Sequence, residues 1–230
     1  MTPLVSVIIP FRDRMSLTES AIRSIFGQSY PNVETIVIND ASTECDSRLK
    51  QLLLEGRNAR YIPLEQNVGP GGARNSGIQA SMGEYIAFLD SDDTWVREKL
   101  EIQIADMLRE NWSFSHTSYF RHRAEDERVQ IVRSGRHTYR FPLPAFHCGI
   151  ATPTVVLKRS LLSGLSFRSD LRFAEDGLLW LALSKRTALC GIDKPLSHVY
   201  TGNLTTARDT WKQAEALKLM ARHGLSDHPW

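Results

Sequence analysis

Four short β-rich runs, residues 5–9, 33–38, 60–64 and 85–89, alternate with helical segments over the first 90 residues, and each run stops at polar residues. The first is Val5-Ser6-Val7-Ile8-Ile9, short and almost wholly apolar, as a strand covered on both faces should be. The intervening segments 16–26, 46–55 and 71–81 carry apolar residues at helical spacing, such as Leu17, Ala21, Ile22 and Ile25. Strand-helix alternation predicts an α/β domain built on a parallel sheet with right-handed crossovers. In such a sheet all the carboxyl ends lie along one rim, the usual place for a ligand. Here that rim gathers Arg12 and Asp13, then Asn39 and Asp40, then Glu65 and Asn67, then Asp90 and Asp92. One polar strand end is ordinary loop chemistry, whereas four in line make a nucleotide-sized site.

The last of these ends is the most telling. An apolar run stops at Asp90-Ser91-Asp92-Asp93, three carboxylates in four positions. They repel one another unless a cation or hydrogen-bond donors share the site, and hard oxygen ligands suit Mg²⁺ or Mn²⁺ bridging to phosphates. A single Asp would serve as the cap of a helix expected over 96–108, and Asp93 can take that part. A second loop, Asn67-Val68-Gly69-Pro70-Gly71-Gly72-Ala73-Arg74, opens the third helix. Its glycines would let backbone approach a ligand, its free N–H groups would favour an anion, and Arg74 offers a phosphate-binding fork. It is neither a Walker loop nor a Gly-x-Gly-x-x-Gly fingerprint.

Composition narrows the partners. A length of 230 residues suits one domain, and a net charge of +2 argues against a dedicated nucleic-acid binder. The run at 4–9 is too short for a signal or membrane span, and three scattered cysteines (Cys45, Cys148, Cys190) show neither zinc nor disulfide spacing. A cytoplasmic setting is therefore expected, with peripheral contact at the inner face of the membrane as an option.

Beyond residue 108 the pattern changes. Segments 113–120, 129–133 and 137–141 read as short strands of a smaller, added sheet, and 154–157 as another. Residues 121–140 carry Arg121, Arg123, Arg128, Arg133, Arg136 and Arg140, either a solvated hairpin or a contact for an acidic or membrane-borne substrate. Glu175-Asp176 precedes an apolar helix, where an acid complements the helix dipole or serves as a rigidly held general base. Segments 188–192 and 196–201 follow as short extended stretches. Residues 207–222 have a helical apolar face (Trp211, Ala214, Leu217) for docking on the protein or a membrane surface. The expected division is a nucleotide-binding half (1–110), a second half of the same domain that carries the candidate base (111–206), and a C-terminal helix and tail (207–230).

Taken in order, Val5-Ser6-Val7-Ile8-Ile9-Pro10, Asn39-Asp40-Ala41-Ser42-Thr43, Asn67-Val68-Gly69 with Gly72-Ala73-Arg74-Asn75-Ser76-Gly77, Gly83 through Asp93, and Glu175-Asp176 form a series that resembles the family 2 glycosyltransferases. The resemblance covers about residues 5–183. It implies the GT-A fold and an inverting, metal-dependent transfer of a sugar from a nucleotide-diphosphate donor, a UDP-sugar, to a glycan or lipid-linked acceptor in polysaccharide biosynthesis. It further implies that Pro10, Phe11 and Arg12 line the nucleotide pocket and that Asp40 holds a uracil-like base. Asn67 and Arg74 would contact the donor. Asp90-Ser91-Asp92 matches the Asp-x-Asp motif, with Asp92 as the direct ligand of Mn²⁺ or Mg²⁺ and Asp90 near the ribose or bound through water. Asp176 matches the general base, and Thr152-Pro153-Thr154 the acceptor-side segment.

Three positions depart from the family pattern. Arg12-Asp13 stands where many members have Asn, Asn39 replaces a frequent Asp, and no Tyr-Arg-x-His segment precedes His198, a conceivable third metal ligand. Two other readings compete. Asp90-Ser91-Asp92-Asp93-Thr94 also fits the Asp-x-Asp-x-Thr of haloacid-dehalogenase-type phosphatases, although that motif belongs on a first strand. A nucleotide- or glycan-binding module without catalysis is the third.

Overall fold

The computed structural model describes residues 2–44, 46–56, 58–123, 126–134, 138–139, 150–171 and 174–201. The expected C-terminal helix at 207–222 lies outside the described residues. The strands expected in the first half form: β1 (Val5–Phe11), β2 (Val33–Asn39), β3 (Ala59–Pro63) and β4 (Tyr85–Phe88). They pair in parallel in the order β3-β2-β1-β4, so their carboxyl ends share one rim. The crossovers are α1 (Met15–Phe26), α2 (Ser47–Glu55) and α3 (Gly69–Ala80).

Side-chain alternation along β1 divides the core into two layers. Val5, Val7, Ile9 and Phe11 pack with Ile22 and Ile25 of α1 and Leu49 and Leu52 of α2. Ile8 faces the other way, toward Ile36, Ile86, Phe88 and Trp180. On that side α3 lies close to the sheet, because a Cβ at Gly77 would fall 2.4 Å from Ile8 Cγ2.

The second half corrects the expected added sheet. β6 (Phe114–Arg123) and β7 (Asp126–Val132) form a hairpin. A short strand, β9 (Val156–Lys158), runs antiparallel to both β4 and β6 and joins the halves, among the described residues, into one ten-stranded sheet. Segments 188–192 and 196–201 are one strand, β10 (Leu189–Thr201), parallel to β6 with register shifts around Pro195, which cannot donate to the ladder. Its flanks take β8 (Thr138–Tyr139) and β5 (Thr94–Trp95).

β5 also revises the expected Asp-capped helix. Thr94 and Trp95 pair with His198 and Ser197, Val96 N–H bonds Leu196 O, and the helix, α4 (Lys99–Arg109), starts three residues later than expected with Glu98 at its N-cap. Asp93 is not a cap; its carboxylate accepts the Tyr200 N–H at 2.8 Å. The last helix among the described residues is α5 (Glu175–Ser184), which seats Trp180 edge-on against Phe114 and Phe167. None of the described helices is long and apolar enough to cross a membrane.

Candidate active site

A cleft of about 560 Å³ opens at the rim where β1, β2 and β4 end, lined by Pro10, Phe11, Arg12, Arg14, Asp40, Asn67, Gly69, Pro70, Arg74, Asp90, Ser91 and Asp92. Every residue expected on the donor side is in that lining. Arg14, which the sequence does not single out, joins them in the lining. The one available signal was a third charged residue following Arg12 and Asp13 after the first strand.

The loops around the cleft are tied to each other by carboxylates. Asp13 Oδ1 accepts Ser42 Oγ–H and Thr43 N–H, both at 3.0 Å, which joins the loop after β1 to the loop after β2. These donors, the Thr43 N–H foremost, hold the Asp13 carboxyl below the usual carboxylate range. Asn39 shapes the second loop, accepting Ser42 N–H at 2.7 Å and donating to the Tyr61 hydroxyl at 2.6 Å. Two of the three departures from the family pattern, Asp13 and Asn39, thus have a structural use.

Asp40 is buried and accepts Val68 N–H at 2.7 Å, Gly69 N–H at 3.0 Å and Asn67 Nδ2–H at 2.7 Å. The anion that the glycine-rich loop was expected to hold is therefore, at Val68 and Gly69, the protein's own carboxylate. Gly69 needs its glycine, with φ at +77°. Gly71 and Gly72 serve packing instead of ligand approach, since Cβ atoms there would meet Arg168 O and Val68 Cγ2, each at 2.8 Å.

Arg74 is 5% exposed and lies between two carboxylates, Asp90 Oδ1 at 2.5 Å and Glu175 Oε1 at 2.7 Å, with its guanidinium 5.3 Å from the Phe167 ring centre. Burial works against its charge, but Asp90, Glu175 and Asp176 outweigh it and raise the pKa. Its fork is spent inside the protein, so it links the Asp-x-Asp turn to α5 and presents little free charge to the cleft. Glu175 is itself pushed upward by burial and by Asp176, with Arg74 pulling it back. Asp176, the less buried member of the pair, is not part of the cleft lining. Its Oδ2 accepts the Thr152 hydroxyl at 2.7 Å and its Oδ1 the Gly177 N–H at 2.7 Å. Thr152 sits in a 3-10 turn, Thr152–Thr154, whose Pro153 carbonyl takes Trp95 Nε1–H at 2.8 Å and Ser197 Oγ–H at 3.0 Å. Beneath it, the Thr154 carbonyl accepts Gln103 Nε2–H at 2.9 Å and buried Lys99 at 3.3 Å.

At the acidic turn, burial and Asp90 raise the Asp92 pKa, and Arg14, 2.9 Å from Asp92 Oδ2, partly offsets them. Burial and Asp90 push the Asp93 pKa upward, with the Tyr200 N–H partly offsetting them. Among the described residues no three His, Cys, Asp or Glu side chains form a closed metal cage. Asp92 and Asp90 nevertheless fit a hard divalent ion that takes one or two carboxylates and completes its shell with phosphate oxygens and water. His198 is turned to its neighbours, with Nδ1 2.9 Å from His122 Nε2 and its ring stacked on Phe120. Of the arginine-rich stretch, Arg133 pairs with Asp193 at 3.0 Å, whereas residues 136 and 140 lie outside the described residues. Cys190 is buried and in no disulfide.

Residues 6–163 match the family model described as Glycosyl transferase family 2. The chain belongs to that family. An uncharacterized glycosyltransferase of Rickettsia bellii is 41% identical over 93% of this chain, which spans about a third (31%) of that relative's length. The Escherichia coli protein WfgD, named UDP-Glc:alpha-D-GlcNAc-diphosphoundecaprenol beta-1,3-glucosyltransferase, is 35% identical over 83% of this chain and 73% of its own. The fold is that of S. aureus TarS 1-349, solved in complex with UDP-GlcNAc, at a TM-score of 0.77 and 19% identity, over 94% of this chain and 66% of that one. The fold is therefore GT-A, and the Asp-x-Asp-x-Thr sequence follows the fourth strand, not the first, which removes the phosphatase reading.

Proposed function

We propose that this chain transfers a sugar from a UDP-sugar to a hydroxyl of a lipid-linked or glycan acceptor in cell-surface polysaccharide synthesis, inverting the anomeric centre. The observation that carries the reading is the convergence of residues from separate strand ends, Pro10, Phe11, Arg12 and Arg14, then Asp40, Asn67 and Asp90 to Asp92, on one nucleotide-sized cleft. The donor half is then 1–110 and the acceptor half 111–206. WfgD supports the choice of donor and acceptor, since its name gives UDP-Glc and a diphosphoundecaprenol-linked sugar.

In the proposed reaction an acceptor oxygen bonds to C1 of an α-linked donor, the C1–O bond to the diphosphate breaks, and UDP leaves from the opposite face. Asp176 takes the acceptor's proton; Thr152 and the Gly177 N–H fix its two oxygens in place beforehand. Asp92, with Asp90, would hold Mn²⁺ or Mg²⁺. Such an ion supplies Lewis-acid neutralisation of the leaving diphosphate. Arg74 maintains the geometry of Asp90 and of the start of α5.

The test is UDP release by the purified protein from a UDP-sugar panel, with and without a polyprenyl-diphosphate-linked GlcNAc acceptor. Acceptor-dependent release with a β-linked product is expected. UDP binding without transfer to any acceptor would favour the non-catalytic binding module.

A further inference from the structure

The cleft has three arginines, and they are unequally committed. Arg74 is buried between Asp90 and Glu175. Arg12 reaches Asp13 only at 4.0 Å. Arg14, with 48% of its side chain exposed, places Nη1 2.9 Å from Oδ2 of Asp92. Its one ionic partner among the described residues is therefore the carboxylate best placed to hold a divalent ion.

Its backbone is arranged for that position. Asp13 and Arg14 are consecutive non-glycine residues in the left-handed region, with φ at 58° and 61°. Such strain persists only where the surroundings enforce it. Here Asp13 is bonded to Ser42 and Thr43, and Glu44 accepts the N–H groups of Arg14 at 3.1 Å and Met15 at 3.0 Å. The loop that carries Arg14 is thus tied to the loop after β2 by two carboxylates, its own Asp13 and the opposing Glu44.

We propose that Arg14 is an exchangeable counter-ion of the donor site: it neutralises Asp92 in the empty cleft, yields that carboxylate to the divalent ion, and turns its freed guanidinium to the donor's diphosphate. Two cations compete for one carboxylate oxygen, and a planar fork freed from a carboxylate suits phosphate oxygens equally well. This assignment rests on the UDP-sugar reading.

Arg14→Asn tests it, because Asn tolerates the left-handed backbone while removing the guanidinium, with Arg14→Gly as a second variant should the first fold poorly. Mn²⁺ alone is titrated into wild type and variant by calorimetry, and UDP is then titrated at saturating Mn²⁺. Loss of an exposed competing ion pair should tighten Mn²⁺ about twofold to fivefold. Loss of a charged phosphate contact should weaken UDP by roughly tenfold or more. Opposite shifts of the two ligands support the exchange. Parallel shifts, or no change in either, overturn it. A wild-type protein that binds no UDP with Mn²⁺ would overturn the donor reading as well, whereas wild-type binding with an unaltered variant removes Arg14's part alone.

Discussion

Replacing Arg74 by Met separates its structural part from a donor-binding one. Both carboxylates that flank the guanidinium are partly or largely buried, their side chains 30% exposed at Asp90 and 8% at Glu175. Removing one partner of a buried pair costs about 3–5 kcal/mol, chiefly because the remaining charge is left uncompensated. Glu175 bears most of that cost, since Asp90 keeps access to water. For a chain of this length, roughly 2–4 °C of Tm per kcal/mol makes a fall on the order of 10 °C. The deficit should depend on pH. Burial and Asp176 already raise the Glu175 pKa, and loss of Arg74 raises it further. A group raised in the folded state contributes its stability below its unfolded pKa and loses it as pH rises through the folded one. The Arg74→Met deficit should therefore shrink toward pH 5 and widen toward pH 8. The double variant Arg74→Met/Glu175→Leu should recover most of it. Urea unfolding at several pH values measures all three. A loss below about 1 kcal/mol that is independent of pH, accompanied by a large rise in donor KM, would refute the buried clamp and return Arg74 to the donor.

Asp176→Asn should fold and bind nucleotide while kcat falls about 10²–10⁴-fold; near-normal turnover would remove Asp176 as the base. Thr152→Val should lower kcat by roughly tenfold with donor KM unchanged, through loss of the hydroxyl that fixes Asp176, and Thr152→Ser should restore it. Burial lowers the Lys99 pKa to about 7, so between there and its unfolded value near 10.4 the unfolded chain binds the extra proton and stability rises with pH. Lys99→Met should abolish that rise, so the stability difference between wild type and variant in chemical unfolding should climb in favour of the wild type as pH increases across the window, and a difference independent of pH would refute it.

The first half of the fold was legible because its signals are local. The apolar runs 5–9, 33–38 and 85–89 mark the strands, and the polar residues that follow each mark the rim. The second half was less legible because its decisive elements are short and paired over long distances. Thr94 and Trp95 become a strand only by meeting Ser197 and His198, and β9 joins the halves with three residues. Asp193-Lys194-Pro195 reads as a break, yet β10 passes through it by shifting register against β6. The same limit applies at the site. Residue type pointed to the carboxylates and to Arg74, but their partners were not legible. That Asp40 holds the glycine loop, that Arg74 is spent on Glu175, and that Arg14 reaches Asp92 depend on contacts between residues 29 to 101 positions apart.

The central claim is a nucleotide-sugar site whose divalent ion sits on Asp92. Thermal unfolding with a panel of nucleotide sugars, with Mn²⁺ or with chelator, tests it on wild type and Asp92→Asn. A UDP-sugar at a hundred times its Kd should stabilise the wild type by about 2.7 kcal/mol, or roughly 5–11 °C. That gain should vanish with chelator and in Asp92→Asn. No gain from any nucleotide sugar, or a gain indifferent to both the chelator and the Asp92 carboxylate, would contradict the account.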